Sequence, residues 1–285
     1  MNNVIACIDG SQSATAVCDA ALWASKRLDA SLQLLHVLDR SEYPVKGDLT
    51  GSIGLGSREH LLDELVLLDE KRSRIALEQG MAMLEAARAR VSNADIGEVQ
   101  LLQRHGRLVE SLLDLEESMR LLVIGRQGEA HEKSAHTIGS HLESVIRTVQ
   151  RPILVALPGF SAPKRFMIAY DGSSTARKAL DMVAGSPLLQ GLECHVVNVA
   201  AQSRQSLSDA ELEEACNALR SQGFMVKGKL LEGDIQSALQ VYAREQALDL
   251  MVMGAYGHSR IRQFFVGSNT SRMLSMSDIA LLLLR

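Results

Sequence analysis

This chain of 285 residues has no closely spaced cysteine pair: Cys7, Cys18, Cys194 and Cys216 form no CxxC. That excludes a zinc knuckle and a thioredoxin-type redox site. All four fall in segments expected to be strand or helix, so buried free thiols are expected. Long apolar runs are missing too. No stretch approaches the roughly 18 residues that a membrane-spanning helix needs, so no membrane insertion is expected. The start, MNNVIACIDGS, has no basic region and enters a strand almost at once. No secretory signal is expected, and the expected location is cytoplasmic. A charge excess is also lacking: 30 Lys and Arg stand against 34 Asp and Glu, a net charge of -4. Such a balance gives no overall attraction to nucleic acid or to an anionic membrane.

Several catalytic signatures are absent as well. There is no GxxxxGK[ST], so P-loop hydrolysis is not implied, and the first strand-to-helix turns carry AspGlySer in place of GxGxxG. His131-Glu132-Lys-Ser-Ala-His136 resembles a zinc-protease helix but is one residue too long. Histidines five apart do not share a helix face, so His131, His136 and His141 are expected as loop and surface residues. Met251, Met253, Met273 and Met276 are expected to pack in the core.

What is present is alternation. Val4 to Ile8 is a strand ending in Asp9-Gly10-Ser11, and Ser11 or Ser13 can cap a helix bearing Val17, Ala20, Ala21, Ala24 and Leu28 on one face. Strands are expected at 32–38, 99–103, 121–124 and 153–157. Helices are expected at about 58–91, at 108–119, and from Gly139-Ser140. Strands alternating with helices imply βαβ units and a parallel sheet.

Proline is scarce, five in all, and two of the five stand at 158 and 163. This ProGlyPheSerAlaProLys stretch, 158–164, is a linker, dividing the chain into domains 1–157 and 165–285. After it the order begins again. Phe166 to Tyr170 is a strand ending in Asp171-Gly172-Ser173. Ser208 and Asp234 are expected helix caps, and Ile279 to Leu284 closes the sheet. The chain is an internal repeat. The offset is 162 residues at Asp9 and Asp171 but 129 at Gly125 and Gly254, so the first copy is 33 residues longer. The excess lies at about 40–97, where a glycine-rich connection and a long helix replace a shorter one. Two copies on one chain suit an intramolecular pseudo-dimer about a pseudo-two-fold axis.

The most pointed stretch is Asp249 to Thr270. Leu250 to Met253 is an apolar run with no polar alternation, as in a strand covered on both faces. Gly254 and Gly257 follow, then nine residues, then Gly267-Ser268-Asn269. Small residues let backbone N–H groups approach an anion. Ser268 or Asn269 can cap the following helix, whose N-terminus carries unpaired donors. Arg260 and Arg262 add positive charge, with no acidic residue from Ala255 to Val266. An ordinary strand-to-helix connection would use glycines for its turns alone.

On these residues, both halves resemble the universal stress protein domain, and the whole chain is similar to tandem members of that family. The spacing Gly254-x2-Gly257-x9-Gly267-Ser268 is the one associated with ATP there. The resemblance implies two repeated, doubly wound α/β domains, each a five-stranded parallel sheet in order 3-2-1-4-5. A ligand would then sit in the crevice between strands one and four. Asp171 would face the ribose or a Mg²⁺ bound to the phosphates. Asn198 and Val199, to Ala200, would meet the adenine through backbone groups. Gly254, Gly257, His258, Gly267, Ser268 and Asn269 would hold ribose and phosphates, with Arg260 adding charge. The implied protein is an ATP-binding, stress-responsive regulator rather than a turnover enzyme, with no catalytic residue assigned and slow ATP hydrolysis left open. Protein partners and a homodimer are compatible with it. A nucleotide-free adaptor, acting through the insertion, is the alternative.

The first copy departs from the pattern: ten residues separate Gly128 from Gly139-Ser140, and Glu129 and Glu132 offset Arg126 and Lys133. A carboxylate near a phosphate is repulsive, so this site is expected to be weak, altered or empty. The second copy's last strand starts SerAspIleAla and lacks the proline found before Ile153, which is expected to affect strand pairing between the halves.

Overall fold

The computed structural model describes residues 3–38, 55–92, 97–126, 140–200, 207–255 and 273–285, with backbone alone for 55–63 and 140. The first half runs β1 (Asn3–Cys7), α1 (Ala14–Leu28), β2 (Leu32–Leu38), α2 (Leu55–Val91), β3 (Gln100–His105), α3 (Leu108–Asp114), β4 (Met119–Gly125), α4 (Ser140–Thr148) and β5 (Ile153–Ala156). The second runs β6 (Arg165–Ala169), α5 (Ser174–Ala184), a 3₁₀ turn (Pro187–Leu189), β7 (Glu193–Ala200), α6 (Asp209–Arg220), β8 (Met225–Glu232), α7 (Ile235–Glu245), β9 (Leu250–Gly254) and β10 (Ala280–Leu284).

The ten strands among the described residues form one sheet in the order β3-β2-β1-β4-β5-β10-β9-β6-β7-β8. Each half contributes 3-2-1-4-5, parallel throughout, and the halves join where β10 pairs antiparallel with β5. The joint is regular: Leu281, Leu282 and Leu283 face Val155, Leu154 and Ile153 in turn. The missing proline therefore does not disturb the pairing. Ser277 starts β10 instead, its Oγ accepting from the Ile279 amide at 3.3 Å and donating to the Ile279 carbonyl at 2.7 Å.

Sheet residues alternate between two apolar layers, as period-two side chains must. Val4, Leu34, Leu154, Ile168 and Leu282 pack under α1, α2, α5 and α6. Ile5, Leu35, Val155, Met167 and Leu281 pack under α3, α4 and α7. Both layers run across the joint, so the two halves share their core.

Helix starts follow their side chains. Ser208 and Glu211 form a reciprocal capping box on α6, and the Asp234 carboxylate accepts from the Ser237 amide to cap α7. α1 differs from expectation: Ser13 is the N-cap but its side chain caps nothing. Ser11 instead donates its hydroxyl to Asp9 Oδ1 at 2.5 Å. α3 stops at Asp114 because Leu115–Ser118 turn back into β4, which starts at Met119, two residues before the expected strand. Of the expected core methionines, Met251, Met253 and Met273 are buried, but Met276 is 44% exposed.

Most of the excess of the first copy is α2, 37 residues against 12 in α6. Leu84, Ala87 and Val91 bind its last turns to the core. Gly80 lies against His36 of β2 and Gln103 of β3. The 25 residues of α2 before Gly80 reach about 37 Å at 1.5 Å per residue, so the helix runs on past the carboxyl ends of the strands.

Candidate functional site

The reversal of strand order between β6-β7-β8 and β9-β10 brings the carboxyl ends of the parallel neighbours β6 and β9 side by side in the second half, with Ala169 opposite Met253. Ligands of open α/β sheets bind outside such a point. β6 passes into Tyr170, which is buried, then Asp171, which is exposed. Asp171 Oδ1 accepts from the Ser173 amide at 3.0 Å, and Gly172 between them has φ +71°. The Ser173 hydroxyl accepts from the Ala176 amide at 3.1 Å and so caps α5. This turn holds the Asp171 carboxylate at the mouth of the crevice and points α5's N-terminus toward it.

Gly254 ends β9, beside Leu284 of β10. A Cβ here would lie 2.9 Å from Thr175 Cγ2 and 3.0 Å from the Thr175 carbonyl carbon and oxygen. Absence of a side chain lets the first turn of α5 close on the strand end. The glycine that opens the GxxG motif thus packs two elements of the crevice together.

Asn198, on β7, is 5% exposed. Its Nδ2 donates to the Tyr170 carbonyl at 2.8 Å, tying the ends of β6 and β7, while Oδ1 has no hydrogen-bond partner among the described residues. β7 pairs with β8 as far as Ala200, but its last pair with β6 is at Val197. Backbone groups of Asn198, half-buried Val199 and Ala200 on the β6 side therefore lie past the β6 ladder, at the crevice. The structure thus brings together Asp171, Asn198, Val199 and Gly254. The other expected site residues, Gly257, His258, Arg260, Gly267, Ser268 and Asn269, lie outside the described residues, as do Arg262, His131 and His136. The expectation for Asn198 concerned its backbone alone. The side chain's role follows from a cross-strand geometry that no local sequence pattern announces.

The first half uses the equivalent position differently. His36, 162 residues before Asn198, places Nδ1 2.8 Å from the Ile8 carbonyl, the counterpart of Tyr170. α2 then lies directly on it. A Cβ at Gly80 would fall 2.5 Å from His36 Cδ2 and 2.4 Å from Gln103 Nε2, and Gln103 Nε2 donates to the Leu77 carbonyl at 3.1 Å. Arg126, following Gly125, donates from Nη1 to the Ser277 carbonyl of the second half at 2.8 Å. Here α2, part of the insertion, covers the strand end.

Of the four expected buried thiols, Cys18, Cys194 and Cys216 are buried and Cys7 is partly exposed. Burial, with Asp9 adding to it, pushes the Cys7 thiol up to about 12, and burial pushes Cys18 up to about 11. Cys194 and Cys216 are raised by burial as well. Thiols so shifted are neutral and unreactive near pH 7. Among the described residues no group of three or more His, Cys, Asp or Glu side chains could hold a metal ion, and no helix is long and apolar enough to cross a membrane.

The architecture is shared with known proteins. A universal stress protein from Archaeoglobus fulgidus superposes with a TM-score of 0.72 at 17% identity, over 100% of this chain and 98% of the other. A functionally unknown protein from Pseudomonas aeruginosa PAO1 superposes at 0.60 and 13%, over 100% and 92%. In sequence, a universal stress protein of Synechocystis sp. is 33% identical over 287 residues, covering 100% of both chains. The sequence profile described as "Universal stress protein family" matches twice, at residues 1–156 and 163–285. The chain belongs to the universal stress protein family, as a tandem member.

Proposed function

We propose that the second half binds one adenine nucleotide, ATP, at the carboxyl ends of β6, β7 and β9, and that the protein acts as a nucleotide-dependent regulator in the cytoplasm rather than as a turnover enzyme. The observation that carries this is the buried Oδ1 of Asn198, which has no hydrogen-bond partner among the described residues. A buried acceptor without a donor costs about 1–3 kcal/mol, and an adenine amine or a ribose hydroxyl would supply the donor. Asp171 stands exposed at the same mouth, where it would meet ribose, or Mg²⁺ carried in on the phosphates. The sequence from Gly254 to Asn269 supplies small residues and the charges of Arg260 and Arg262 for the phosphates. Covered by α2, the equivalent place in the first half takes no nucleotide in this reading.

The test is titration of ATP, with and without Mg²⁺, into wild type and a Gly267→Trp variant. Saturable binding by the wild type, lost in a variant that keeps its circular dichroism, supports the reading. No uptake by the wild type overturns it. Measured phosphate release over hours distinguishes regulator from ATPase.

One observation favours a second reading, the adaptor. Val66, Leu67, Leu68 and Ile75 of α2 are each at least half exposed, on the part of the helix that runs beyond the sheet. Apolar groups concentrated on one exposed element mark contact surfaces. Absence of nucleotide binding, together with loss of self- or partner association in a Leu67→Glu/Leu68→Glu variant, would favour the adaptor.

A further inference from the structure

A cavity of about 290 Å³ lies at the joint between the halves, on the sheet face opposite α3, α4 and α7. Its walls come from both halves: Leu121 of β4 and Leu28 of α1 from the first, Leu282 and Leu284 of β10 with Val183 of α5 and Leu189 from the second. The lining is apolar apart from Ser186 and one charged side chain, Arg120. Arg120 is half-buried and donates from Nη1 to the Leu28 carbonyl at 2.9 Å. It makes no ion pair among the described residues, and Nε and Nη2 have no hydrogen-bond partner among them. No carboxylate lines the cavity.

The space is held open by fixed parts. Arg27 of α1 donates from Nε to the Leu188 carbonyl at 3.0 Å and from Nη2 to the Pro187 carbonyl at 3.2 Å and to the Gln190 carbonyl. The 3₁₀ turn that forms one wall is thus anchored to the opposite half, and the strands that form the floor belong to the central sheet. A volume near 300 Å³, apolar walls and one polar anchor are the features of a small-molecule site, and a preformed cavity binds with little ordering cost.

From these features we infer a second ligand site, separate from the nucleotide crevice, for a single-chain amphiphile: an apolar body of medium length with one carboxylate. Nε and Nη2 of Arg120 form a fork that matches the two oxygens of a carboxylate. A single cation in an apolar lining suits one negative charge, and a polyphosphate would leave charge uncompensated. The cavity lies at the amino ends of β4 and β5, which the antiparallel joint sets on the same edge of the sheet as the carboxyl ends of β9 and β6, but none of Asp171, Asn198, Val199 and Gly254 lines it, so the two sites are separate.

The experiment titrates octanoate and, separately, 1-octanol into the full chain by calorimetry, with wild type, Arg120→Met and Val183→Trp. We expect octanoate to bind saturably, one per chain, and ATP not to displace it. Arg120→Met should weaken octanoate about tenfold, the loss of a charge-assisted pair, and change 1-octanol less than twofold. Val183→Trp fills the cavity and should abolish both. Thermal melts of each variant confirm folding, and Arg120→Met decides the matter if Val183→Trp does not fold. No saturable octanoate binding by the wild type overturns the inference. So does an Arg120→Met variant that binds octanoate as the wild type does, or displacement of octanoate by ATP.

Discussion

Gly254 and Thr175 are packed so closely that a Cβ on the glycine would stand 2.9 Å from the threonine methyl and 3.0 Å from its carbonyl oxygen. The contact fixes the distance between the end of β9 and the first turn of α5. Because the Thr175 backbone is part of the contact, rotation of its side chain cannot relieve a clash. We expect Gly254→Val to destabilise the fold by about 1–3 kcal/mol, the usual cost of forcing extra carbons into a packed site. Urea unfolding measures it, and unchanged stability would mean that α5 yields easily. In the same variant ATP affinity should fall, because the crevice lies between the two elements that are pushed apart.

Asn198 holds β6 to β7 through the Tyr170 carbonyl while its Oδ1 is left over. Asn198→Leu removes the donor and strands that carbonyl, a loss of about 1–3 kcal/mol. Asn198→Asp keeps an acceptor toward the crevice but also strands the carbonyl. If the nucleotide uses the side-chain oxygen, Asp should retain more ATP affinity than Leu at similar stability. Equal affinities would restrict Asn198 to a structural role.

Arg27 bonds three carbonyls of 187–190 from the other half of the molecule. Hydrogen bonds from a charged donor contribute about 1.5–3 kcal/mol, and Arg27→Met should cost about that much in urea unfolding. Hydrogen exchange should rise at the Leu188 and Gln190 amides, whose bonds to Ser186 and Pro187 hold the turn. Unaltered exchange there would show that the turn holds without its anchor.

The raised Cys7 pKa predicts the sign of a pH dependence in stability. Burial raises the thiol's pKa from 9.0 to about 12, so the unfolded chain releases this proton at a lower pH than the native one. Its contribution is full below pH 9 and is lost as pH rises from there toward 12. Urea midpoints at pH 8 and pH 10 should fall more for wild type than for Cys7→Ala. An equal fall in both would contradict the assignment. Native thiols should also resist a thiol reagent at pH 7.5 until urea is added.

Much of this was legible in the residues because it is written locally. Ser208 with Glu211 and Asp234 with Ser237 are caps whose partners lie three residues on. The parallel sheet and the repeat followed from alternation and the echo of Asp9-Gly10-Ser11 in Asp171-Gly172-Ser173, and the strand order from the family resemblance. Features that depend on distant partners were not legible. Ser11 and Ser13 both looked like caps, and the choice between them and a bond to Asp9 is made by the turn as a whole. The long helix could be seen, but not that Gly80 would seat it on His36, 44 residues earlier in the chain. No element is assigned to 187–189 from the sequence, and Arg27, some 160 residues away, anchors this turn to the other half. The side chain of Asn198 belongs to the same class.

The most direct measurement is the number of adenine nucleotides per chain, taken from anion exchange of denatured, freshly purified protein and from calorimetric titration with ATP. One per chain is the expected result, with the second half occupied and the first covered by α2 on His36. Two per chain would contradict the covered first site, and none would contradict nucleotide binding altogether.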